Sequence, residues 1–451
     1  MKRYCMVNVI KQEFLAEYIE AHLNPWDELL ECLKQAGTNE ELIYMYQNLA
    51  ILCAFIFVYS VLSRGLERTP INGAVVFAAF GLALGPHGLN LLNLDVTAEG
   101  LRTLAELTLA FVLFTDASNA DLGVLKKTFR IPQRMLVIGL PLTILLGFGV
   151  GVFMFDTLTL FEVAILATLL APTDAALGKA VVTNESVPDN LRQALSVESG
   201  FNDGICVPVL FVFLALASGS NTEESTSMFA LKLVAEEIGI GLAVGAGLTM
   251  IGVLLLKGTH RLGWITETWR QLPVAALAVG CFCLAQALGG SGFIAAFAGG
   301  LLFGAMAKNH KHGLLLAAEG TGDTFSLLTW VVFGACVVPL AFDHFSWKVL
   351  LYALLSLTVI RMLPVYLALR GRGLRTDEKL FAGWFGPRGL ASVVFAVIVF
   401  NEDLPGGSII VITAVYTVML SVLLHGLSAN PLVAALKARI AGSQGQDTVD
   451  R

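Results

Sequence analysis

The stretch LLAPTDAAL, residues Leu169–Leu177, sets a proline, a hydroxyl and a carboxylate in the middle of an apolar run. WFGPRGLASVVF, residues Trp384–Phe395, does the same with Gly386, Pro387, Arg388 and Gly389. Proline interrupts a helix because it lacks an N–H and clashes with the preceding turn. A helix broken inside a bilayer leaves bare N–H groups on one half and bare C=O groups on the other, each end carrying about half a charge. Pro172 and Pro387 are therefore read as helix-break residues. Asp174 can neutralise the positive ends and Arg388 the negative ones. Broken helices at corresponding places in two inverted halves mark the central site of a transporter.

The rest of the chain agrees with a membrane setting. Apolar residues make up 56% of the 451 and charged residues 14%, against about 25% charged in a soluble domain. Mean hydropathy is +0.74. The formal net charge of −6 says little, because position matters more than sum. The seven cysteines are scattered and lack disulfide, zinc or redox spacing, so all are read as structural.

Apolar runs begin near Asn48, Pro70, Gly100, Met135, Phe161, Asn190, Met228, Trp269, Ser291, Thr324, Trp347, Lys379 and Ser408. They predict an all-α polytopic protein of about thirteen spans. Alternate loops, beginning with SRGLERT (Ser63–Thr69), hold most of the 29 basic residues. The intervening loops are poor in Lys and Arg. By the positive-inside rule the basic loops are cytoplasmic, with the N-terminus outside and the C-terminus inside. The expected membrane is the cell (inner or plasma) membrane. The two broken segments fall in the fifth and twelfth spans, so they run in opposite directions.

Residues 1–47 are read as an N-terminal extension without a cleavable signal peptide. Its stretch YIEAHLNPWDELLECLKQ (Tyr18–Gln35) has amphipathic character. Residues 48–430 are read as the transmembrane domain, and 431–451 as a short cytoplasmic tail. Glycine pairs such as Gly81/Gly85, Gly147/Gly151, Gly241/Gly245 and Gly300/Gly304 predict close helix contacts.

The sixth span opens with SVESGFNDG, residues Ser196–Gly204. A carboxylate within the bilayer is costly and persists where it is paired, wet or used. Ser199 and Asp203 are four residues apart and share a helix face, and Glu198 and Asn202 share the adjacent stripe. Buried Glu198 needs a partner. Arg361, in LTVIRMLPVY of the eleventh span, is a membrane arginine without one. A structural Glu198–Arg361 ion pair is expected. Asp203 is left with Asn202, Ser199 and, from the fifth span, Thr173 and Asp174. Such hard oxygen ligands suit a small monovalent cation at Asp203 and Asp174, and not zinc or copper. Asp116 and Glu106 are further candidates in or near the third span, and for Asp116 an interfacial role is preferred to a site role. The histidines, His425 among them, are read as solvated residues at span ends or in loops.

The combination of PTD in one span, ESxxND in the next, the later Arg361 before Pro364-Val365, and GPRG in a glycine-rich span resembles the NhaP-type sodium/proton antiporters. These are relatives of the animal sodium–proton exchangers. The resemblance covers residues 48–430. It implies an inverted-repeat fold with two crossing broken helices. It places the transported ion at Asp203, Ser199, Thr173 and Asp174, the ion pair at Glu198 and Arg361, and a helix-break residue at Arg388. It also implies a homodimer. Two departures stand out. Ala175 follows Asp174 where the family often has proline, and the short tail has no counterpart of the animal exchangers' regulatory domain.

One carboxylate that holds a proton or a cation, but not both, suffices for antiport. The expected cargo is Na⁺, or Li⁺ or K⁺, against H⁺, with a K⁺/H⁺ antiporter or another ion channel or carrier of this fold as the alternative. Electrogenic relatives carry Asp where this chain has Asn202, which implies an electroneutral exchange of one for one. No cofactor and no nucleic-acid partner is expected. A channel would not need paired broken helices and would show a filter motif. No P-loop, G-x-S-x-G or H-E-x-x-H points to an enzyme. An anion carrier would show more basic than acidic site residues, and the reverse is seen.

Overall fold

The computed structural model describes residues 38–449 apart from 67–68, 70–71, 93–97, 120–129, 175–176, 220–224, 267–268, 308–310, 344 and 403. The stretch Tyr18–Gln35 and Cys5 and Cys32 lie outside the described residues. Every regular element among those described is a helix. In order they are α1 (Thr38–Leu66), α2 (Gly73–Leu84), α3 (Ala98–Asn119), α4 (Arg130–Met154), α5 (Leu160–Leu169), α6 (Lys179–Val182), α7 (Asp189–Gly219) and α8 (Ser225–Arg261). Then come α9 (Leu272–Ala287), α10 (Gly292–Met306), α11 (Lys311–Val332), α12 (Trp347–Leu357), α13 (Val359–Ala368), α14 (Thr376–Trp384), α15 (Leu390–Phe400) and α16 (Gly407–Val449). A π turn (Phe333–Val337) carries α11 into a short helix, Val338–Asp343.

Among the described residues, seven helical segments are long and apolar enough to cross a membrane, and five more are apolar but only 10–17 residues long. α3 is in neither group, because Glu99, Arg102, Glu106 and Asp116 punctuate it. The outer helices turn apolar side chains outward, as lipid contact requires. Phe153 of α4 is 88% exposed. α1 begins at Thr38 and runs unbroken through the expected boundary at residue 47, and α16 runs through the one at 430.

Helix contacts follow the glycines. A Cβ on Gly81 would run into the Val331 carbonyl, and one on Gly334 into that of Ala78, so α2 crosses the π turn backbone to backbone. Gly300 and Gly304 of α10 press in the same way on Phe114 and Ser118 of α3. A methyl group fits at neither crossing, and the close approach draws its attraction from dispersion between the backbones.

The two segments singled out by Pro172 and Pro387 are both interrupted. The chain leaves α5 at Leu169, passes residues 171–174 without helical structure, and resumes at α6. It leaves α14 at Trp384, passes 385–389 likewise, and resumes at α15. The eleventh span is also interrupted. Thr358, at φ −108° and ψ −96°, separates α12 from α13. Around the breaks sits the largest apolar core, drawn from α3, α5, α7, α9, α10 and α15.

Candidate functional site

The two breaks meet. Asp174 N–H donates to Pro387 O at 2.8 Å, so the unwound stretches touch backbone to backbone. Leu390 N–H, at the start of α15, donates to Asp174 Oδ2 at 3.0 Å, and Leu177 N–H donates to Oδ1 at 3.3 Å. Asp174 thus lies at the positive end of a half-helix, where an anion is favoured. At the opposite pole, Arg388 Nη1 donates to the carbonyls of Ala171 and Pro172 at 2.7 and 3.0 Å. Those carbonyls follow the C-terminus of α5. Ser392 Oγ donates to Leu169 O at 2.9 Å and satisfies another. Side chains of the second broken segment thus bond the end of α5, and Asp174 of the first bonds the start of α15.

α7 brings its polar turn against this crossing. Asn202 Nδ2 donates to Thr173 Oγ1 at 2.6 Å, and Ser199 Oγ donates to the Thr173 carbonyl. Glu198 faces away from the crossing towards α13. Arg361 Nη1 and Nη2 donate to its Oε1 and Oε2 at 2.5 and 2.6 Å, in a forked pair with both side chains 1% exposed. Asp203 is buried, and its Oδ1 makes no hydrogen bond among the described residues. The same holds for Asn202 Oδ1. Two adjacent residues therefore each present an unsatisfied oxygen inside an apolar bundle. An unpaired buried acceptor is unfavourable unless something else ligates it. Hard oxygens of this kind suit a small cation.

Gly204 permits this placement. A Cβ there would sit 2.5 Å from the Phe297 ring of α10, so α7 lies flat against α10 just past Asp203. A Cβ on Gly200 would lie 3.7 Å from Asp116 of α3, so the two helices pass close to each other there. Asp116 thus lies beside the turn of α7 that carries Ser199 and Asp203. Asp203, Asp174 and Asp116 are close enough for their charges to act on one another. Glu106 is held by Arg102 on the same helix at 2.7 Å. A narrow cleft lined by Thr173, Asp174, Ser199 and Pro387 runs between the breaks.

Two groups escaped the sequence reading. His425 of α16 is buried and not solvated, with Nε2 2.8 Å from Trp384 O and its ring stacked on Trp384. Its signal was the row Thr413, Thr417, Ser421, His425, four polar residues at helical spacing in an apolar span, all buried. Glu162 was also missed. It forms a capping box with Thr159 and accepts Gly406 N–H at 2.6 Å, and its T-x-x-E signature stands in the sequence.

The family model for the transmembrane region of sodium/hydrogen exchangers matches residues 51–435. The chain belongs to the sodium/hydrogen exchanger family. The exchanger is similar to the K(+)/H(+) antiporter NhaP2 of Shewanella sp. (strain ANA-3), at 22% identity over 392 residues, 87% of this chain and 67% of the relative. It is similar to the Na(+)/H(+) antiporter of Schizosaccharomyces pombe at 24% identity over 430 residues, 86% of this chain and 90% of the relative. Among solved structures, the sodium proton antiporter MjNhaP1 from Methanocaldococcus jannaschii at pH 8 matches the exchanger's fold with a TM-score of 0.67. That match is at 22% identity and covers 85% of this chain and 99% of the other. A model for L-rhamnose mutarotase matches residues 3–68, which overlap the exchanger only in the apolar helix α1.

Proposed function

We propose that Asp203 is the carboxylate at which a monovalent cation and a proton compete, and that this antiporter exchanges Na⁺ for H⁺ one for one. The chain is a cation/proton antiporter by family. The observation that carries the site reading is the pair of unsatisfied buried oxygens, Asp203 Oδ1 and Asn202 Oδ1. Neighbouring carboxylates are engaged: Glu198 by Arg361, Asp174 by two backbone N–H groups. Thr173 and Ser199 complete the oxygen-rich wall, and Asp174 and Arg388 hold the broken ends that frame it. A charged, empty site is costly to carry past an apolar gate, so a loaded carboxylate crosses more readily than a bare one. Asn202 never titrates, which supports exchange of one charge for one. K⁺ is the second reading for the cargo, favoured by the K(+)/H(+) antiporters among the relatives. The basic loops support a cytoplasmic C-terminus and an external N-terminus in the cell membrane, and the family resemblance supports a homodimer.

The test is cation-driven proton movement in everted vesicles, with Na⁺, Li⁺ and K⁺ added in turn to wild type and to Asp203→Asn. Loss of the response in a folded Asp203→Asn protein is expected. Transport at the wild-type rate would remove Asp203 from the mechanism.

A further inference from the structure

The last helix carries polar groups that none of the residues above explains. Thr413, Thr417, Ser421 and His425 of α16 recur every four residues and are all buried. The first two bond to carbonyls of their own helix, Ile409 O and Thr413 O at 2.6 and 2.7 Å. The other two reach across to the second break. Arg388 N–H donates to Ser421 Oγ at 2.6 Å. His425 Nε2 lies 2.8 Å from Trp384 O, the last residue of α14, and Nδ1 lies 3.3 Å from Ser421 Oγ and 2.9 Å from Ser421 O. The imidazole thus bridges Trp384 and Ser421, and Ser421 bridges to Arg388. Nε2 reaches Trp384 O, Nδ1 reaches Ser421, and Ser421 Oγ accepts from Arg388 N–H. The result is a hydrogen-bonded relay from the Trp384 carbonyl at the end of α14, which also accepts Gly386 N–H at 2.8 Å, through α16, to the backbone of Arg388.

What hangs on that relay is the other break. The guanidinium of Arg388 holds Ala171 O and Pro172 O, directly before Thr173 and Asp174. Its remaining nitrogens, Nε and Nη2, have no hydrogen-bond partner among the described residues, so Nη1 and the backbone N–H are the two grips that place it. The Trp384 ring stacks on His425 with centroids 4.9 Å apart, and Trp384 Nε1 donates to Ser428 Oγ at 2.9 Å, which fixes the imidazole against α14.

We propose that Ser421 and His425 are positioning residues for exchange: by holding Arg388 and the end of α14, they set the register of Thr173 and Asp174 beside Asp203. This rests on the ion site lying at the crossing. Both residues act through Arg388 and touch neither cargo.

The experiment measures cation-driven proton movement against cation concentration in everted vesicles, normalised to folded protein, for Ser421→Ala, His425→Ala, Ser421→Thr and His425→Gln. Removing one partner of a buried hydrogen bond should raise the half-saturating cation concentration about tenfold in the alanine variants. Threonine restores the hydroxyl and glutamine a donor towards Trp384 O, so both should return it to within about twofold of wild type. Ser421→Cys, close in shape but a poor acceptor, covers the case in which alanine variants do not fold, with an intermediate rise expected. An unchanged half-saturation in the folded alanine and cysteine variants, even with lowered melting temperature, overturns the proposal. Asp203→Asn in the same assay separates the two readings. Transport surviving there overturns the site reading and this inference with it. Transport lost there, with Ser421 and His425 variants unchanged in half-saturation, overturns this inference alone.

Discussion

Asp174 Oδ2 accepts the backbone N–H of Leu390 at 3.0 Å, so a residue in the first break caps the helix that leaves the second. Asp174→Ala removes both the acceptor and the charge and should destabilise the folded protein by about 1–2 kcal/mol. Asp174→Asn keeps an acceptor oxygen and should lose roughly half as much. Thermal melting in detergent ranks the two. Equal losses would show that the charge alone matters and that capping does not.

The forked pair between Glu198 and Arg361 is fully enclosed. Glu198→Ala or Arg361→Ala strands a charge in the bundle and should cost about 3–5 kcal/mol. The double variant removes both charges and should regain much of that loss. Melting of the four proteins completes the cycle, and a double variant as unstable as the two singles added together would deny the coupling.

Asn202→Asp places a second carboxylate beside Asp203, with the Thr173 hydroxyl able to turn and donate to it. Wild type should reverse at the same sodium and proton ratio whatever the imposed voltage. The variant should shift, since moving one net charge is worth about 2.3 kcal/mol per 100 mV. Proteoliposomes clamped with potassium and valinomycin give the reversal point, and a voltage-dependent wild type would rule out exchange of one for one.

Gly389 faces the Asp174 carboxylate so closely that a Cβ would overlap it. Gly389→Ala should push Asp174 off the α15 terminus and cost about 1–3 kcal/mol. A variant that melts with wild type would mean that the carboxylate has somewhere else to go.

The sequence showed the breaks because Pro172, Pro387 and the glycines beside them have one backbone meaning whatever surrounds them. It also showed the split of tasks in the sixth span, because residues one apart on a helix point to different faces. It could not show which orphan group meets which. That the Ala171 and Pro172 carbonyls go to Arg388, and the Trp384 carbonyl to His425, depends on helices far apart in the chain. His425 was misplaced for the same reason. A histidine late in a span looks solvated until the helix packed over it is known. Asp116 and Glu106 sit in one polar helix, and only packing against Gly200 tells them apart. The interruption at Thr358 has no proline or glycine at the break to predict it.

The backbone bonds that tie the two breaks together also make a natural reporter. Asp174 N–H and Leu390 N–H are donated across the crossing to partners more than 200 residues away in the chain. Their exchange with deuterium needs the breaks to part, since neither proton is shielded by an ordinary helical turn. If the two broken helices travel as one rigid unit during transport, these amides stay protected while the protein turns over. If transport pulls the crossing open, they label in step with the cycle. Two unmodified protons thus distinguish a bundle that moves whole from one that opens at its centre, without a probe or a mutation in the site.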